Sequence, residues 1–261
     1  MDDAPQRVRL LGGEADLVTP AEVLRFVERA ATDSGPAKVV ANHNAHSLFL
    51  LRRSETLRRF FASADLIEID SVPMIAWGRL LGLPISRAHR ATYLDWRDDF
   101  WRLADQRGWR VFYLGGAPGV AEEAAKRLAV RYPNAAIAQH HGYFDQAQGS
   151  QENQQVVARL NAFDPDVVMV GMGMPLQETW VLENRACIRR GAILTVGAAF
   201  DYEAGAQKAA PRWTGRLGVE WLARLAGDPK RLAHRYLIEP WSLIGPALDD
   251  LAAARRRLAS H

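Results

Sequence analysis

Between Trp109 and Arg131 an apolar run meets a glycine-rich turn and then an alanine- and glutamate-rich stretch, and this unit limits the architectures open to the chain. Residues 109–114 (WRVFYL) read as a buried strand, Gly115–Gly116–Ala117–Pro118–Gly119 as a tight turn, and Val120 to Arg131 as a helix. Related units flank it. Strands are expected at 38–41, 64–69, 135–139, 166–171 and 192–196, and helices at 45–63, 72–81, 151–163 and 179–187. Strands alternating with helices of about a dozen residues predict a parallel sheet with helices on both faces, an α/β Rossmann-like fold. Ligands of such sheets bind where the strands end. Functional residues are therefore expected after Val40, Ile69, Leu114, Val170 and Val196. The alternation stops after Gly205, so residues 1–205 read as the main domain and 206–261 as a helical, basic C-terminal appendage.

Charge is uneven. The whole chain of 261 residues carries a formal +3, but from Lys208 onward ten basic residues stand against five acidic ones. A basic tail on a near-neutral body points to an anionic partner. Trp213, Trp221 and Trp241 are interleaved with those arginines, which suits a lipid headgroup interface. A solvated helix pair is the plain alternative, and nucleic acid fits poorly with so small a net charge. The acidic N-terminal stretch lacks a signal-peptide core, and no apolar run approaches the roughly 20 residues of a spanning helix. A cytoplasmic protein attached peripherally to the inner face of the membrane is expected. The single cysteine, Cys187, cannot form an intrachain disulfide and reads as a small buried side chain.

The strand ends carry the candidate site residues. Gly115 and Gly116 would let backbone N–H groups approach a diphosphate at a helix N-terminus, or simply make a tight turn. Asn42 and Asn44 suit sugar hydroxyls, although Asn44 is also placed to cap a helix. His43 and His46 lack an evident third metal ligand, and no D-x-D-type metal site is apparent, so neither metal nor cofactor is expected. Asp70 could cap the next helix or act as a general base. Gly171, Gly173 and a proline shape a loop presenting Gln177 and Glu178; Gln177 reads as a binding residue, and Glu178 as that or a helix N-terminal charge.

Together these segments resemble the WecG/TagA/CpsF glycosyltransferase family. The matching stretches are ANHNAH at 41–46, Asp70, FYLGGAPG at 112–119, HGYF at 141–144, VGMGMPLQETW at 170–180, VGAAFDYEAG at 196–205, and APRW, GVEWLARL and PKRLAHRYL within 210–237. The resemblance implies an inverting transferase that moves an N-acetylmannosamine-type or glucose-type sugar from a UDP-sugar to a polyprenyl-diphosphate-linked acceptor. It implies Asp70 as the base and Gln177 as a sugar contact. Arg90, Asp95 and Tyr143 join the substrate site, and Arg224, Arg231 and Arg235 close over pyrophosphate. The chain departs from the family pattern at Asn42, Ser71, Tyr93 and Ala209. Those departures keep open a nucleotide-sugar-binding regulatory protein without catalysis. A nicotinamide-dependent dehydrogenase is disfavoured, because no convincing acidic residue follows the glycine turn.

Overall fold

The computed structural model describes residues 5–207, 225 and 229–259, without the side chains of Arg231, Leu258 and Ala259. It opens with an antiparallel hairpin, β1 (Arg7–Leu10) and β2 (Gly13–Asp16), followed by α1 (Pro20–Thr32). The expected alternation then follows: β3 (Lys38–His43), α2 (Ala45–Leu51), α3 (Glu55–Ser63), β4 (Leu66–Ile69), α4 (Val72–Leu80), α5 (Tyr93–Arg107), β5 (Arg110–Gly115) and α6 (Val120–Arg131). It continues through β6 (Ala136–His140), α7 (Gln151–Phe163), β7 (Val167–Gly171), α8 (Leu176–Asn184), β8 (Ala192–Thr195) and α9 (Ala199–Ala204). Two further helices close the described chain, α10 (Pro229–Ala233) and α11 (Ile244–Ala259).

Strands β3 to β8 form one six-stranded sheet in the order β4-β3-β8-β7-β5-β6, and every neighbouring pair is parallel. Strand alternation sends side chains to two separate cores. Val111 and Tyr113 join α1, α5, α6 and α9 on one face. Phe112 and Leu114 join α2, α3, α4, α7 and α8 on the other. The chain leaves β5 outward to β6 but leaves β7 in the opposite direction to β8. The crevice between the ends of β5 and β7 is thus the topological switch point, the preferred ligand position in such sheets.

Two local differences from the sequence reading have physical causes. The single helix expected at 45–63 is two, because Ser54 starts a new one by accepting the Leu57 N–H at 3.3 Å. Cys187 is exposed rather than buried, since it ends a short 3-10 turn after α8. The last helix shares the core of the body: Asp250 Oδ2 accepts from Leu11 N–H at 2.8 Å and from the Trp77 indole at 3.0 Å. Leu243 is buried in the same core.

Candidate active site

At the β3–β4 end the sheet presents charged side chains. Asp70 directly follows β4, and its N–H donates to the His43 carbonyl at 2.8 Å. Ser71, not Asp70, caps α4, accepting the Met74 N–H at 3.4 Å. The Asp70 carboxylate is therefore not the cap, and it faces Arg90, with Nη2 at 3.7 Å from Oδ1. Arg90 is brought there because its segment returns to β4 in a single parallel bridge with Ile69. Its Nη1 donates to Asp95 Oδ2 at 3.2 Å, and the Thr92 hydroxyl donates to the same oxygen at 3.0 Å. Asn42 lies in register with Glu68 on the neighbouring strand, and its amide donates to the Thr195 carbonyl at 2.7 Å. Asn42, Asp70, Arg90 and Asp95 thus gather at one corner.

That corner also holds a residue the sequence reading passed over. Glu68 is 3% exposed and accepts from the Trp96 indole N–H at 3.0 Å. Burial, and next the Asp70 charge, push its carboxyl well above the usual range. The signal was in the strand itself, a carboxyl at the centre of Leu-Ile-Glu-Ile. Tyr93 is absorbed by the core: its hydroxyl donates to Glu203 at 3.0 Å and accepts from the Trp101 indole at 3.0 Å.

Asn44 caps α2, its Oδ1 accepting the Ser47 N–H at 3.0 Å. The two nearby histidines diverge. His43 is buried against Ser47 Oγ at 2.9 Å and held neutral, its pKa pushed down to about 3 by burial. His46 Nδ1 meets Glu239 Oε2 of the C-terminal segment at 2.6 Å. His234 approaches the other Glu239 oxygen at 3.4 Å, and Arg52 donates to the Ser242 carbonyl. This segment brings Arg235 into electrostatic range of His46, at the start of α2. The side chain of Arg231, in α10, and all of Arg224 lie outside the described residues, as does Ala209.

At the β5–β7 end the sheet presents backbone. Gly115 and Gly171 are register partners, and Gly115 has φ +152°. A Cβ on Gly115 would lie 2.2 Å from the Gly171 carbonyl oxygen, so no side chain fits. The Gly116 N–H donates to that carbonyl at 3.2 Å and so is already engaged within the fold. Gln177 is buried and binds two loops together. Its Oε1 accepts from Gly173 N–H at 3.3 Å and Gly197 N–H at 3.2 Å, while Nε2 donates to Glu178 Oε1 at 2.7 Å. Glu178 Oε2 is buried with no hydrogen-bond partner among the described residues. Burial raises the Glu178 pKa to about 7.

Tyr143 stands apart beyond β6, 72% exposed, beside an open cleft of about 390 Å³ also lined by His140, His141, Phe144 and Arg159. The loop reaches the switch point, since Gly142 N–H donates to the Gly116 carbonyl at 2.9 Å. Asp70 and Gly115 share the sheet edge but are separated by four strand spacings, about 19 Å. Gln177 and Gly197, on the exits of β7 and β8, lie between them.

Residues 8–257 match the model of the glycosyl transferase WecG/TagA/CpsF family. Proteins from Staphylococcus aureus strains MW2, NCTC 8325 / PS 47 and COL are similar to the chain. Each bears the description N-acetylglucosaminyldiphosphoundecaprenol N-acetyl-beta-D-mannosaminyltransferase. Each is 30% identical over 238 residues, covering 87% of this chain and 87% of the relative.

Proposed function

Because the chain belongs to the WecG/TagA/CpsF family of glycosyltransferases, we propose that it transfers a hexosyl group, of N-acetylmannosamine or glucose type, from a UDP-sugar to a polyprenyl-diphosphate-linked glycan. The acceptor class follows the activity named for the relatives. The observation that carries the reading is the Asp70 corner, where a half-exposed carboxylate ends a strand beside a guanidinium.

The reaction is a single displacement with inversion. The acceptor hydroxyl oxygen attacks the anomeric carbon while the bond from that carbon to the UDP oxygen breaks. The hydroxyl proton passes to Asp70. UDP leaves toward the β5–β7 end. Its diphosphate lies over the loops that Gln177 ties, between the two ends, and the turn after Gly116 and the N-terminus of α6 face the far end of the nucleotide, where Tyr143 offers an aromatic face for the nucleoside. Arg224, Arg231 and Arg235 add positive charge at the diphosphate.

The same protein sits on the membrane surface through its C-terminal segment. Leu237, Ile238, Trp241, Ile244 and Leu248 are all exposed there, and the last turns of α11 carry Arg255, Arg256 and Arg257. No helix of the described residues is long and apolar enough to cross a membrane. An exposed apolar stripe with flanking arginines suits the headgroup boundary.

The deciding experiment is UDP release from a panel of UDP-sugars with a polyprenyl-diphosphate-linked acceptor. Acceptor-dependent release with one donor is expected. Binding of donors without turnover across the panel would contradict the reading.

A further inference from the structure

We propose that Glu68 is a positioning residue for Asp70: through the Trp96 indole it holds helix α5 where Asp95 keeps Arg90 against the Asp70 carboxylate. This rests on Asp70 being the base.

Glu68 occupies a position where an apolar side chain would pack at no electrostatic cost. The other three residues of β4 are Leu66, Ile67 and Ile69, all buried. A carboxyl there is unfavourable unless its polar atoms are used. The use is visible: Trp96, itself 2% exposed, donates its N–H to Glu68 Oε1 at 3.0 Å. Trp96 directly follows Asp95 in the first turn of α5, so fixing one fixes the other. Asp95 in turn accepts from Arg90, and Arg90 faces Asp70. By the strand's period of two, Glu68 and Asp70 project to the same face. The contacts form a closed circuit from β4 through Trp96, Asp95 and Arg90 back to Asp70, which directly follows β4.

Charge fits this role. Asp70 and Asp95 are the charges that act on Glu68, both against its ionisation, and Asn42 is its register neighbour. Both carboxylates disfavour a third negative charge at the corner, and the Glu68 oxygen that accepts from Trp96 serves the contact in either form.

The test compares Glu68→Gln, Glu68→Leu and Trp96→Phe in the full chain, with turnover counted per UDP-binding site. Gln keeps the acceptor and should hold kcat within about threefold of wild type. Leu and Phe should each lower kcat about tenfold or more, with both KM values within about threefold, since small misplacements of reacting groups are costly. The double variant Glu68→Leu/Trp96→Phe should be no worse than either alone. Wild-type kcat in the Leu and Phe variants, or multiplying losses in the double, would overturn the proposal. If the Leu variant does not fold, Trp96→Phe decides alone. Asp70→Asn is run beside them. Its keeping full turnover would remove the base assignment and this inference with it. Its losing turnover while Trp96→Phe stays active would remove only the role of Glu68.

Discussion

The two ends of the sheet's carboxyl edge are built from opposite materials. At the β3–β4 corner the work falls to side chains: Asp70, Arg90 and Asp95 in contact, with Glu68 and Trp96 beneath. At the β5–β7 crevice it falls to backbone: glycines in close approach, with Gln177 tying two loops. A side chain can take a proton, whereas a glycine turn can only cradle charge. On the proposed reading, chemistry falls to one end and donor binding to the other.

The assignment can be broken at four places. The largest effect is expected from Asp70→Asn, which should lower turnover about 10²–10⁴-fold in a radiolabelled transfer assay. Turnover within about threefold of wild type would remove Asp70 as the base. Next, Gly171→Ala should disrupt the crevice. Its Cβ would lie 2.3 Å from the Gly197 carbonyl oxygen and 2.4 Å from the Tyr113 hydroxyl. A loss of about 1–3 kcal/mol is expected in urea unfolding, as for other overpacked sites.

Third, Glu178 should make stability depend on pH. Folding raises its pKa from 4.5 to about 7, so the native state holds the proton more tightly than the unfolded chain. The native state therefore loses stability as pH rises through that window and does not recover it above. Glu178→Gln should match wild type near pH 4 and exceed it near pH 8 by up to about 3 kcal/mol. Equal stability at both pH values would show that the carboxyl is not desolvated. Smallest is Trp241→Ala, which removes a 71% exposed ring and should weaken partitioning to anionic liposomes about threefold. Unchanged partitioning would take the ring out of the membrane contact.

The alternation of strands and helices made the sheet legible, and the turn at 115–119 was readable as a strand-to-helix connection, because glycine and proline punctuate in ways few other residues do, whereas its place at the switch point depends on strand order. The Asp70 corner was readable only as a position. Nothing local links Asp70 to Arg90 and Asp95, which meet because the chain returns to β4 after α4. Helix α5 was not read at all. Its apolar positions include Trp96, Phe100 and Trp101, but Asp and Arg residues interrupt the run. Gln177 was readable as having no packing reason in the sequence. Its place between Gly173 and Gly197 depends on β7 and β8 being neighbours, which is a property of the fold.

Separate dissociation constants for UDP, by titration calorimetry on Asp70→Asn and Gln177→Ala, test the division between the two ends most directly. UDP binding should stay within about threefold of wild type in Asp70→Asn and weaken about tenfold in Gln177→Ala, which leaves two loop N–H groups without their acceptor. UDP binding that collapses in Asp70→Asn and survives in Gln177→Ala would contradict the account.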